Sequence, residues 1–315
     1  MEKRKAAQVL ENYSLQEIME NAYRNHILIP AFNIAYLPMV ETIVKTLRRL
    51  DTFALLEVAR PDITKFEAGS FRAVKEAYDH VHERGLCRLH QDHVPVIDED
   101  MNEVDWRSSI QKALELGYDS VMIDGSRCSL EDNIRITREV VGMAHAAHAS
   151  VEAELGSVWG HETGPLPPYE ELFASGKGFT SPEEAERFVM ETGVDWLSVA
   201  VGNIHGAISG AAKDERKVEA RLNIDHLGTI SSRTRCPLVL HGGSGIKKEY
   251  LMEAVHNGIT KINVGTEIRQ AYEQGMRTGG EKKAAGNLAG RLEELITNYY
   301  NIRGSAELLL KESAS

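Results

Sequence analysis

Eight short apolar runs, each followed by a helical stretch, limit what this chain can fold into. They lie at Ile27 to Asn33, Phe53 to Val58, Cys87 to His93, Ser120 to Gly125, Ser150 to Gly156, Trp196 to Val201, Leu238 to Leu240 and Lys261 to Val264. A short apolar run bounded by turn residues reads as a strand buried on both faces. Strands that alternate with helices build a parallel sheet. The helical stretches carry their own signals: Ser14-Leu-Gln-Glu17 is a capping box opening a helix from Leu15 to about Arg24, and Ser181-Pro182-Glu-Glu184 opens another. Most strands end in a residue able to do chemistry: Asn33, Arg60, Asp92, His93, Asp124, Glu154, His205, His241, Asn263 and Thr266. An open sheet gathers such residues at one switch point, whereas a barrel collects them from every strand at one mouth. The expected fold is therefore α/β, a (β/α)8 TIM barrel. We expect a single domain over residues 1–315, with a short N-terminal helix and a C-terminal helical extension.

The last two strands are joined to their helices by unusual turns. Leu238-Val-Leu240 runs into His241-Gly242-Gly243-Ser244-Gly245, and Lys261-Ile-Asn263-Val runs into Gly265-Thr266. Glycines let backbone N–H groups approach a ligand closely. The first N–H groups of a helix have no internal partner and carry the positive end of its dipole. Two such turns side by side form a phosphate cradle, and in a barrel they lie after strands 7 and 8. The plainer alternative is a pair of tight turns with glycines for geometry alone.

Three histidines, His93, His205 and His241, end strands 3, 6 and 7. Any one of them is more simply a structural histidine. Together at one mouth they suit a tetrahedral zinc site with a position left open, and Asp92 beside the first is placed to act as an acid/base. The net charge of −11, from 36 Lys+Arg against 47 Asp+Glu, argues against a nucleic-acid partner. It leaves room for an anionic small molecule, because helix ends and a metal override net charge locally. Cys87, Cys128 and Cys236 are isolated, which suits a reducing cytoplasm, and no apolar run of membrane-spanning length or signal-peptide core is present.

These blocks, in this order and spacing, resemble the class II, zinc-dependent ketose-bisphosphate aldolases, a family that includes fructose-1,6-bisphosphate and tagatose-1,6-bisphosphate aldolases. The similarity rests on His90-Gln-Asp92-His93, Gly117 to Ser126, Val151-Glu-Ala-Glu154-Leu-Gly156, Val199 to Gly206, Leu240 to Gly245 and Asn263-Val-Gly-Thr266, and covers about Ile29 to Ala306. It implies that His93, His205 and His241 hold Zn2+ and that Glu154 ligates it in an alternative position. Asp92 resembles the family's acid/base at the aldehyde-derived hydroxyl. Glu162, in the Gly160 to Gly164 loop, resembles its proton-abstracting glutamate. Gly206, Gly242, Gly243, Ser244, Asn263, Gly265 and Thr266 would hold the triose phosphate, with Asn33 among the substrate-binding residues. Carbonyls near Gly206 and Gly242 would take a monovalent cation, Na+ or K+, as in relatives. Asp124 and Glu152 have a weaker claim, as groups that orient a ligating histidine. The resemblance also implies a sugar phosphate substrate and a homo-oligomer, dimer or tetramer, with Ala289 to Tyr300 as an interface helix.

The chain departs from that pattern at the aldehyde end. Relatives often carry Gln-x-Ser after strand 2, where this sequence reads Glu57-Val-Ala59-Arg60-Pro61-Asp62. Arg60 would pair with a distal phosphate or carboxylate, or else sit in a surface ion pair with Asp62 or Glu67. Residues 95–107 and 165–178 look enlarged, and Ser157 to Thr180 reads as one long irregular loop suited to a lid. Beside the aldolase stand two other functions: a zinc barrel hydrolase or epimerase, and a barrel without catalysis.

Overall fold

Eight parallel strands close into a ring in chain order. They are β1 (Ile29–Asn33), β2 (Ala54–Val58), β3 (Cys87–Pro95), β4 (Ser120–Asp124), β5 (Ser150–Leu155), β6 (Trp196–Val199), β7 (Leu238–Leu240) and β8 (Ile259–Val264). β8 pairs back onto β1, with Ala31 opposite Asn263. This computed structural model describes residues 3–81, 83–156, 158, 169–203, 221–242 and 246–310. Helices follow the strands in the order expected of a (β/α)8 barrel, and the capping box at Ser14 is formed, its side chain and that of Glu17 each bonded to the other's backbone.

Side chains along each strand alternate between two environments, as the period of two requires. Ala54, Leu56 and Val58 of β2 face outward into the core shared with the helices, as do Leu197 and Val199 of β6. The residues between them turn into the ring. Near its N-terminal end these are Ile29, Ala31, Phe53, Leu55, Trp196 and Val239, packed on Leu10, Leu15, Ile18 and Met19. Two N-terminal helices, Lys3–Leu10 and Leu15–Arg24, thus plug the bottom of the barrel. The fully buried Arg88 of β3 ties that plug down by donating to the carbonyls of Leu10 (3.0 Å) and Tyr13 (3.3 Å). Further up, the inward positions become polar: Glu57, His90, Asp92, Glu152, Glu154, His241 and Lys261 are all buried. Apolar filling at one end and buried charge at the other give the barrel its polarity.

The structure corrects the expectation in three places. The Lys3–Leu10 helix is additional; its Ala6, Ala7 and Leu10 are buried, and their contacts lie under the barrel rather than in the local sequence. The stretch read as one loop, 157–180, contains a helix, Tyr169–Ser175. Its Tyr169 hydroxyl accepts the Arg221 N–H (2.7 Å) and lies 3.0 Å from the Gly202 carbonyl, so tertiary contacts hold what local propensity does not announce. The helix that opens at Thr266 ends at a kink at Gly279 and Gly280, and a second helix resumes directly after it and reaches Glu294, so the C-terminal helical extension begins well before Ala289.

Candidate active site at the barrel mouth

The site begins with an irregularity in β3. The register against β4 shifts between Gln91 and Val94, and His93 sits in the left-handed region at φ 42°. In a regular strand Asp92 and His93 would face opposite sides of the sheet. A bulge re-aims the second side chain, so that two consecutive residues both serve the mouth. A left-handed non-glycine residue costs of the order of 1–3 kcal/mol, which the contacts of His93 offset.

Those contacts converge on one point. His93 Nε2 lies 2.7 Å from His241 Nδ1, and Glu154 Oε2 is 3.4 Å from the same His241 nitrogen. The other nitrogen of each ring faces a carboxylate. His241 Nε2 meets Glu152 Oε1 at 2.7 Å, and His93 Nδ1 meets Asp124 Oδ2 at 3.6 Å. Asp124 is fixed in turn by the N–H (3.0 Å) and hydroxyl (2.6 Å) of Ser126, and Glu152 by the Trp196 indole N–H (2.8 Å). Two imidazole nitrogens and a carboxylate oxygen facing one another, each imidazole backed by a carboxylate, form a donor set that fits zinc. Asp124 and Glu152 therefore stand where groups that orient a ligating histidine belong.

Charge within this cluster is strongly redistributed. Burial alone would lower His93, yet Asp92, Asp124 and Glu154 around it raise it to about 10. Burial and the neighbouring His93 and Lys261 push His241 well below the ordinary histidine range. Burial, with Asp124 nearby, lifts Glu154 to about 8. A cationic His93 set among the carboxyl groups of Asp92, Asp124 and Glu154 marks a place where a divalent ion would be well compensated.

A second network lies beside the first. Asp92 accepts from the Asn263 amide (3.0 Å) and the Asn33 amide (3.2 Å). Asn263 takes the Lys261 ammonium at 2.5 Å, and Lys261 also lies 3.0 Å from Glu152 and 3.3 Å from Glu57. Burial opposes the Lys261 charge, but Glu152 and Glu57 hold its pKa above the ordinary lysine range. Burial, with Asp92 nearby, raises Glu57 well above the carboxylate range, while Lys261 and His90 lower Glu152 against the same burial. Glu57, His90 and Asp92 also come within reach of one another as metal donors. The ammonium of Lys261 already supplies the cation there. The motifs of the sequence do not single out Lys261. A lysine at an inward position of a buried strand, two residues before Asn263, is the signal it offers.

Among the expected substrate-binding residues, Asn33, Gly242, Asn263, Gly265 and Thr266 gather at this end of the ring. Gly265 packs so close that an added Cβ would stand 2.9 Å from Asn33 Oδ1, and Thr266 opens the helix that follows β8. Gly242 adopts φ 68°, a conformation glycine takes at no steric cost. Glu162, His205, Gly206, Gly243 and Ser244 lie outside the described residues. Arg60 opens a short helix, Arg60–Thr64, and its side chain is 54% exposed, 3.7 Å from Asp98 Oδ2. Its partner is thus Asp98 of the acidic loop rather than Asp62 or Glu67. Asp98 in turn accepts the N–H groups of Asp100 (3.1 Å) and Asn102 (2.9 Å) and so shapes that loop.

Known proteins share this arrangement of strands. The profile of the family described as fructose-bisphosphate aldolase class-II matches residues 13–306. A fructose-bisphosphate aldolase of Giardia intestinalis (strain ATCC 50803 / WB clone C6) is 31% identical over 285 residues, which cover 84% of this chain and 81% of its own. Two solved structures share the fold. One is the YdjI aldolase from Escherichia coli K12, at TM-score 0.71 and 24% identity, covering 94% of this chain and 99% of its own. The other is a fructose-bisphosphate aldolase from Campylobacter jejuni, at TM-score 0.70 and 20% identity, covering 92% and 95%.

Proposed function

Because this chain belongs to the class-II fructose-bisphosphate aldolase family, it is an aldolase, and we propose that it reversibly cleaves a ketose phosphate or bisphosphate to dihydroxyacetone phosphate and an aldehyde. The observation that carries this reading is the convergence of His93 Nε2, His241 Nδ1 and Glu154 Oε2 beside Asp92. Membership decides between the aldolase and the zinc hydrolase or epimerase in favour of the aldolase.

His93, His205 and His241 would hold zinc, with Glu154 as an alternative ligand. When bound, the zinc supplies a Lewis acid that polarises the oxygens of the triose half. The chain's own residues do the rest. In cleavage, the carboxylate of Asp92 takes the proton of the hydroxyl on the carbon that becomes the aldehyde. The bond between that carbon and the triose half breaks, its electron pair staying on the triose half. Glu162 then delivers a proton to that carbon of the triose half. In condensation the same two residues act in reverse. Asn33 and Asn263 orient Asp92 through their amides. Gly206, Gly242, Gly243, Ser244, Asn263, Gly265 and Thr266 would bind the triose phosphate, a monovalent cation would sit against nearby carbonyls, and Arg60 would face the far end of the aldehyde half.

Cys87, Cys128 and Cys236 are all free thiols, which supports a cytoplasmic setting. Among the described residues no helix is long and apolar enough to cross a membrane. We expect the working form to be a homo-oligomer. The test of function is a cleavage assay coupled to triose phosphate detection over ketose 1-phosphates and bisphosphates. Turnover of at least one, with dihydroxyacetone phosphate as product, supports the reading; release of inorganic phosphate or an epimer instead would overturn it.

A further inference from the structure

We propose that Asp62 selects the aldehyde half of the substrate, its free carboxylate oxygen accepting a hydrogen bond from a hydroxyl on the carbon next to the one that Asp92 serves. The proposal rests on the aldolase reading above and adds to it the residue that recognises this hydroxyl.

Asp62 lies just past β2 and is only 7% exposed. Its Oδ2 does all the internal work: it accepts the Ala59 N–H at 2.9 Å and the Asn33 amide at 3.3 Å. The same Asn33 nitrogen reaches Asp92 Oδ2 at 3.2 Å. Asp62 and Asp92 are therefore separated by a single amide group. Oδ1 of Asp62 accepts no hydrogen bond from any described residue and keeps a small contact with solvent in the buried setting of this carboxyl.

The chemistry of that oxygen limits its partner. An acceptor one amide away from Asp92 repels a phosphate or carboxylate and attracts a hydroxyl. Burial, with Asp92 nearby, already raises Asp62 to about 7, so the carboxylate form gains from any donor offered to it. A carbon chain entering from the reacting carbon next to Asp92 brings its neighbouring substituent to Asp62 and its far end toward the rim, where Arg60 and Asp98 lie. A site built to bond a hydroxyl rejects the analogue lacking it, because its own polar group is then left unpaired.

The test is condensation of dihydroxyacetone phosphate with 2-hydroxypropanal and with propanal, which differ by that one hydroxyl. The holoenzyme should favour 2-hydroxypropanal in kcat/KM by roughly ten- to a hundredfold. Asp62→Asn keeps both internal bonds, since its amide oxygen replaces Oδ2, and it puts an N–H donor where Oδ1 was. The preference should fall to about threefold or less, through a lower value for 2-hydroxypropanal. Asp62→Ala should show the same loss, and because the readout is a ratio within one preparation, the fraction of folded enzyme cancels. A parent ratio near one, or an unchanged ratio in both variants, overturns the proposal while leaving the aldolase reading intact. A parent that condenses neither aldehyde and exchanges no carbon-bound proton of dihydroxyacetone phosphate with heavy water overturns both.

Discussion

Lys261→Met tests whether the polar interior is held by one buried cation. In the parent the ammonium is wholly buried and spans Glu152 at 3.0 Å, Glu57 at 3.3 Å and Asn263 at 2.5 Å. Glu57 is pushed well above the ordinary carboxylate range and Glu152 below it, so we assign the charge that pairs with the Lys261 ammonium to Glu152. Methionine fills most of the volume but leaves Glu152 as a lone buried carboxylate. Removing one partner of a buried pair costs about 3–5 kcal/mol, a large part of the roughly 5–15 kcal/mol that keeps a domain folded. The assay is guanidinium unfolding of metal-free protein near pH 7. The charge assignment adds a second, sharper expectation. Glu57→Gln replaces a neutral acid by a neutral amide and should cost less than about 1 kcal/mol, and adding it to Lys261→Met should rescue nothing. Glu152→Gln added to Lys261→Met should recover about 2 kcal/mol or more, because it removes the stranded charge. The lone Glu152 of Lys261→Met has its folded pKa raised, so its deficit should be small at pH 5 and grow as pH rises. If Lys261→Met unfolds within about 1 kcal/mol of the parent, or if Glu57→Gln rescues it, the charge assignment is wrong.

Two further outcomes follow from named contacts. Asp62 is held up to about 7 by burial, so its contribution to stability is fully present below its ordinary value of 3.8 and is lost as pH rises through about 7. Asp62→Asn should therefore gain on the parent across that window, by about 2–4 kcal/mol at pH 8, and unfolding curves for metal-free parent and variant that stay parallel with pH would rule this out. Arg60→Ala should spare a ketose 1-phosphate with a neutral tail and lower kcat/KM for a charged tail by roughly tenfold or more. Because Asp98 faces Arg60, Asp98→Asn should move the charged-tail value the other way; equal effects on both substrates would return Arg60 to a purely structural role.

Much of this protein is legible in its sequence because the strand signal is local and repeated. Each apolar run and its terminal polar residue can be read in isolation, which is why the barrel, Asp92, His93, Glu154, His241 and Asn263 all stand out along the chain. Where legibility ends, the cause is non-local. Lys261 reads as an ordinary strand residue until β8 is seen to face Glu57 of β2 and Glu152 of β5 across the ring. The bulge that turns both Asp92 and His93 to the mouth is a register event between β3 and β4, with no turn residue to announce it. Asp62 passes for a surface partner of Arg60, because its burial depends on Asn33 of another strand. Of the two plug helices, Leu15–Arg24 is announced by its capping box, whereas the apolar side of Lys3–Leu10 is defined only by the barrel floor it covers.

The most direct test of the proposed chemistry is metal-dependent cleavage in one preparation. The protein is stripped with chelator, its zinc content verified, and zinc titrated back while triose phosphate release from a ketose bisphosphate is followed. Cleavage should be lost with the metal and recover to saturation at one zinc per chain. Borohydride should trap no adduct, because Lys261 is kept as a cation and not as a free amine nucleophile. Full cleavage by verified metal-free protein, or a borohydride-trapped adduct on Lys261, would contradict the zinc mechanism.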